Sequence, residues 1–185
     1  PDMTAGQHLD RLAAAASAAP PDVAVLAALG LSDAAGLHAV IDLARREMRD
    51  DPGAGARLAR LARAAAVAAG LEPEVGPAAD YALAQASVAA GELQEALALL
   101  DRARTGFAAA GDTWSALRTN LGRTNILNEM GRHDDALAAS RAIIEALGPA
   151  SAPAVDRTEE ERTELLAAAE QNSALCHELM GGFEL

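Results

Sequence analysis

The sequence predicts an all-α protein, a right-handed α-solenoid of antiparallel helical hairpins with about eight or nine helices. Three observations carry this. A short signature recurs: Ala90-Gly91-Glu92-Leu93-Gln94-Glu95-Ala96-Leu97, and then Met130-Gly131-Arg132-His133-Asp134-Asp135-Ala136-Leu137. A third copy opens with Met180-Gly181-Gly182-Phe183-Glu184-Leu185. Each reads as a helix end, a tight glycine turn and a new helix opening on acidic residues. The composition agrees, since about a quarter of the 185 residues are Ala and aromatics are only 2%. Ala favours helix and allows close helix packing, whereas sheets want branched and aromatic residues. Finally, apolar positions recur at steps of three and four rather than two.

Along the chain, Gln7 to Ala19 reads as a first helix, stopped by Pro20-Pro21, and Val23 to Leu29 as a short second one. Ser32 and Asp33 offer N-caps for a helix whose Leu37, Val40, Ile41, Ala44 and Met48 share one face. Asp50-Asp51-Pro52-Gly53 breaks it. The helix of about 54–69 carries Leu58, Leu61, Ala65 and Ala68 inward and Arg57, Arg60 and Arg63 outward, where Asp50, Asp51 or Glu47 would pair with them. Residues 1–33 thus form a helical cap and 34–76 a degenerate hairpin.

Gly70 to Pro77 reads as a proline-flanked linker, after which regular units cover 77–112, 113–148 and 157–185. Helices of about 78–90 and 93–110 meet at Gly91, the second with a buried stripe of Leu93, Leu97, Leu100, Ala103 and Phe107. A helix of about 113–130, capped by Asp112 or Thr113, is followed by one of about 134–147 that buries Ala136, Leu137, Ile143, Ile144 and Leu147. The segment 149–156 reads as a flexible loop. It explains why Gly131 and Gly181 stand 50 residues apart when Gly91 and Gly131 stand 40 apart. The last helix, about 157–180, opens on Thr158-Glu159-Glu160-Glu161, carboxylates that complement a helix N-terminus. Its partner would begin where the chain ends, so the expectation is a fragment of a larger protein or an edge capped by another chain.

Net charge −12 argues against nucleic acid as a partner. All 15 basic residues are Arg, a bias that with so much Ala points to a GC-rich bacterial genome. The apolar runs are too short for a bilayer, no signal peptide is visible at the N-terminus, and one Cys excludes an internal disulfide framework. The expected location is cytoplasmic.

These glycines and the small residues that follow them, Ala96 and Ala136, resemble the helix-turn-helix units of tetratricopeptide repeat proteins. Leu93, Phe183, Leu100, Ala103 and Ile143 stand at the family's large or apolar positions. His133 and Ser140 depart from it, and the spacing exceeds the common 34 residues. The match covers Gly70 to Leu185 well and Ala34 to Ala69 loosely. More narrowly, the phrasing is similar to repeats of actinobacterial proteins that carry a caspase-like CHAT protease or a signalling ATPase domain elsewhere. The resemblance implies a non-catalytic protein-interaction scaffold, part of a larger effector or signalling protein. Two alternatives stand beside it: a stand-alone peptide receptor, or a structural arm that oligomerises through its C-terminal edge.

The repeat register assigns the concave, peptide-facing surface to Tyr81 and Gln85, to Arg118, Asn125, Asn128 and Glu129, and to Gln171 and Asn172. Leu121, Val88, Ala168 and Leu175 lie among them. Amide and guanidinium groups suit an extended backbone or a carboxylate. Asn125 and Asn172 match two positions of the carboxylate-clamp subset of these repeats, although the clamp's cation is replaced by Leu121. The plainer reading is that Asn125 and Asn128 are solvated or bridge helices, and that Trp114 packs against Phe107. No catalytic residue, cofactor or metal site is expected. Cys176 and His177 are helix neighbours whose side chains diverge, and His133-Asp134-Asp135 reads as a helix start.

Overall fold

A computed structural model describes residues 4–18, 21–148 and 157–181. Among them stand nine helices and no strand: α1 (Ala5–Ala18), α2 (Val23–Ala28), α3 (Ala34–Glu47), α4 (Pro52–Ala68), α5 (Glu72–Ala89), α6 (Leu93–Ala109), α7 (Thr113–Glu129), α8 (His133–Leu147) and α9 (Glu159–Gly181). The chain divides into two compact units, Pro1–Gly106 and Phe107–Leu185. Within each, a helix packs on the next and on the next but one: α3 on α4 and α5, α7 on α8 and α9.

Five helices end in one way. Gly30, Gly70, Gly91, Gly111 and Gly131 have φ between 68° and 76°, the left-handed region. At each, the following N–H reaches back to a carbonyl of the preceding helix: Leu31 to Leu26, Leu71 to Ala66, Glu92 to Ser87, Asp112 to Phe107 and Arg132 to Leu127, all at 2.8–2.9 Å. This Schellman closure satisfies carbonyls that the helix end would orphan. The junction between α3 and α4 lacks the glycine. There Asp51 donates its N–H to Glu47 and caps α4 by accepting from Ala54 at 2.9 Å, with Pro52 in the first turn.

The linker expected at Gly70 to Pro77 is instead a turn and a helix. Gly70 closes α4, and α5 starts at Glu72 with Pro73 in its first turn, where a missing N–H costs nothing. Pro77 lies inside α5 and is buried. Its ring occupies the space a Cβ on Gly106 would need, so that glycine lets α6 approach. At the other end, α9 runs on through Gly181. The loop expected at 149–156 and the helix start expected at Phe183 lie outside the described residues, as do Ala19 and Pro20.

The apolar faces form as the periodicity predicts, with adjustments. Leu37, Val40, Ile41 and Ala44 of α3 are buried, as are Leu58, Leu61 and Ala65 of α4, and Leu97, Leu100 and Ala103 of α6. Each buried Leu contributes about 1.5–3 kcal/mol relative to exposure. Met48, Leu93 and Phe107 are half-buried, and Ala68 is exposed because it falls in the last turn of α4. In the second unit, Trp114 and Leu117 pack with Ile143 and Leu147 of α8 and Leu165 and Ala169 of α9. Trp114 is thus buried as the plainer reading has it, in a cluster with side chains of α8 and α9.

The arginines of α4 depart from a solvated stripe, because helices pack against α4 on several sides. Arg60 is exposed. Arg57 donates from Nε to Ala16 and from Nη2 to Ser17 at 3.3 Å, tying down the end of α1, and lies 3.9 Å from Asp51. Arg63 reaches Asp80 of α5 at 2.5 Å and Glu72 at 3.5 Å. Asp80 also accepts from Arg102 of α6, at 2.6 Å from Nη2 and 3.0 Å from Nε. The Asp80 side chain is only 6% exposed, so one buried carboxylate joins three helices. Its hydrogen bond raises the pKa of the Arg102 guanidinium above its ordinary value.

Close approach of α3 and α4 depends on Gly55, where a Cβ would fall 2.7 Å from the Ala44 carbonyl oxygen and 2.9 Å from the Met48 nitrogen. Those are backbone atoms and cannot swing aside. Gly55→Ala is expected to lower stability by about 2 kcal/mol, read from urea unfolding by circular dichroism. Gly53→Ala, one turn-position away, meets only the movable tips of Arg57 and Asp51 and changes stability by less than about 0.5 kcal/mol. Equal losses would show that the α3–α4 contact is not set by Gly55.

Candidate functional site

Of the residues assigned to the concave surface, Tyr81 and Gln85 lie on α5 in the first unit, half-buried and exposed respectively. The other six lie in the second unit, on α7 and α9. Two contacts give the register of these helices: Asn172 Nδ2 donates to Asn125 Oδ1 at 3.2 Å, and Cys176 Sγ donates to Asn128 Oδ1 at 3.3 Å. Both partners advance together, so α7 and α9 run parallel, with α8 packed against both.

The two asparagines do different things. Asn125 and Asn172 meet at an exposed position, and each carboxamide keeps a further donor or acceptor. Asn128 is half-buried, and its oxygen also takes a hydrogen bond from His133 Nδ1 at 3.2 Å, closing the turn between α7 and α8. Cys176 is fully buried, whereas His177 beside it is exposed, in keeping with their divergence on one helix. The thiol acts as a hydrogen-bond donor to an amide.

Toward the helix N-termini the same face opens into a cleft of about 290 Å³. Trp114 and Leu121 of α7 and Leu165 and Ala168 of α9 contribute its apolar wall. Arg118 on one side and Glu161 and Glu164 on the other bring opposite charges to the rim. Arg157 stacks over the Trp114 ring, 5.7 Å from its centroid. Glu161 also belongs to a reciprocal cap: Thr158 N donates to Glu161 Oε2 at 3.0 Å, and Glu161 N to Thr158 Oγ1 at 3.2 Å. The Thr-x-x-Glu spacing carries that capping box, which accounts for part of the acidic run. Arg118, Glu129 and Gln171 are exposed along the face, and so is Leu175, at 42%.

No protein-family model, curated protein or solved structure matches the chain.

Sequence reading did not anticipate the polar contacts that hold α8. Ser140, a departure from the repeat pattern, is fully buried with its Oγ 3.3 Å from Thr124 Oγ1. Thr124 also donates to the Asn120 carbonyl at 3.0 Å, so neither hydroxyl is stranded. Nor was Asp80 singled out, although a carboxylate among Ala79, Ala82 and Leu83 on a helix is a signal that a cation must reach it. Among the described residues no group of three His, Cys, Asp or Glu side chains is placed to hold a metal ion, and no helix is long and apolar enough to cross a membrane.

These geometries separate structural from available amides. Asn128→Ala leaves a buried thiol without its acceptor and frees His133, and is expected to cost about 1.5 kcal/mol. Asn125→Ala, at an exposed pair, should cost less than about 0.5 kcal/mol. Urea unfolding followed by Trp114 fluorescence reads both, since the sole Trp lies in the same unit. Similar losses would contradict the assignment of distinct roles.

Proposed function

We propose that the chain is a non-catalytic protein-interaction scaffold, built on the plan of a tetratricopeptide-like solenoid, and that the α7–α9 face of its second unit holds an extended peptide of a partner protein. The observation that carries the reading is the face itself. A cleft with an apolar wall and charged rims leads into a row of amides, exposed Asn125 and Gln171 and half-buried Asn172, between two parallel helices. Amides can pair with a backbone whatever its side chains, while Trp114 and Leu121 offer an apolar seat for one residue of the guest. Packing of α3 on α5 and of α7 on α9 within the units, and the 40-residue recurrence of Gly91 and Gly131, support the solenoid plan. The resemblance to repeats of multidomain effector and signalling proteins favours a role in assembling partners over chemistry within these residues.

Panning a random peptide library on the chain, with Trp114 emission as the solution readout, tests this. Enriched peptides are expected to shift Trp114 emission. Their affinity should fall at least about tenfold for the combined variant Arg118→Ala, Asn125→Ala, with helical content unchanged. Failure to enrich any peptide, or equal affinity for the variant, would overturn the proposal.

A further inference from the structure

The first unit carries a second, chemically different cleft. It measures about 680 Å³ and lies among α1, α3 and α5. Arg45 and Arg46 line it from the last turn of α3 and Arg49 from the turn after it, together with Gln85 of α5 and Leu9 of α1. These are three of only 15 cations on a chain of net charge −12, gathered within five residues.

Their neighbours do not consume this charge. Asp42 is the carboxylate in the lining, and it lies 3.9 Å from Arg45 with the two side chains 72% and 41% exposed. Such a solvated contact exchanges readily for a better one. Among the described residues neither Arg46 nor Arg49 has an ion pair, and both side chains are exposed. By contrast Arg57, Arg63 and Arg102 are each bound to carbonyls or carboxylates of their own unit. Arginines serving the fold are tied down, and those of the cleft are not.

We propose that this cleft binds an acidic peptide segment, an extended stretch with carboxylates at alternate positions. Guanidinium groups pair with carboxylates through two parallel hydrogen bonds, which gives orientation as well as attraction. Arg45 and Arg46 stand in the last turn of α3, and Arg49 in the turn that follows it, its N–H bonded to the Arg46 carbonyl. Alternate side chains of an extended chain are spaced by about 6.6 Å, so successive carboxylates on one edge of the guest can each meet an arginine of the cluster. Gln85 adds an amide suited to the guest's backbone, and half-buried Leu9 and Ala39 can cover the methylene groups of Glu side chains. The strongly negative chain repels an acidic peptide elsewhere, so capture depends on this local cluster. The site is independent of the α7–α9 face, and either can fail without the other.

The test uses an end-blocked heptapeptide alternating Glu and Ala, labelled for fluorescence anisotropy, against the intact chain. Binding is expected, weakening as salt rises, and at least about tenfold weaker when Gln replaces Glu in the peptide. The double variant Arg45→Ala, Arg49→Ala should lose at least about tenfold in affinity, Gln85→Ala a few-fold, and Arg60→Ala, outside the cleft, nothing. A second pair, Arg45→Gln with Arg49→Gln, keeps the long stems if alanine disturbs folding. Absence of binding, equal binding of the Gln peptide, or wild-type affinity in a folded double variant overturns the proposal. Displacement of the peptide by an equal concentration of inorganic pyrophosphate also overturns it, assigning the cleft to small anions instead.

Discussion

Every hairpin closed by glycine in this chain depends on one backbone state, the left-handed conformation of the single residue that ends a helix. Gly30, Gly70, Gly91, Gly111 and Gly131 all adopt it, and all five are followed by the same back-bonded N–H. Within the units the turn is short: α5 begins two residues after Gly70 and α8 two after Gly131, so α4 with α5 and α7 with α8 are held in antiparallel contact. With the Asp51-capped junction before α4, the Gly70 turn sets α3 beside α5, and the Gly131 turn, with α9 packed back on α8, sets α7 beside α9. Each of the two proposed clefts lies on a face that one such turn helps to set.

Small side chains then set how closely the helices pack, and a few polar groups specify which ones meet. Buried Ala at positions 59, 62, 65 and 66 lets α4 approach its neighbours closely. Such a core has few bulky side chains to key it, and polar contacts supply the missing definition. Asp80 joins α4, α5 and α6 through Arg63 and Arg102. Isolating that carboxylate would leave a buried charge, a penalty of several kcal/mol, so its two arginines are required where they stand. The second unit uses neutral groups instead: Thr124 with Ser140, and Asn128 with Cys176 and His133.

The helices were legible in the sequence because their ends are marked by glycine, capping Asp and proline, and because apolar spacing names the buried face. Asp33 and Asp112 cap α3 and α7 as their positions imply. Gly70 to Pro77 misled, since two prolines in a short stretch resemble a linker. The chain tolerates both, one in a first turn and the other because Gly106 on another helix makes room for its ring. That compensation is tertiary, and no local pattern reveals it. Asp51 was anticipated as a partner of Arg57, but Ala16 for Arg57 and Asp80 for Arg63 were missed for the same reason, since both are far away in sequence. In the candidate site, helical register placed Asn125 and Asn172 on faces that meet. It could not separate them from Asn128, whose role depends on the depth of Cys176 beneath it.

A left-handed backbone, rather than want of space, requires glycine at the turns. At Gly131 φ is 72°, and a Cβ would meet nothing within 4 Å. Semisynthesis can place either enantiomer of alanine there, and urea unfolding followed by Trp114 fluorescence compares the two. L-Alanine is expected to destabilise by about 1–2 kcal/mol, while D-alanine, which favours positive φ, leaves stability unchanged or raised. Equal destabilisation by both enantiomers would contradict it.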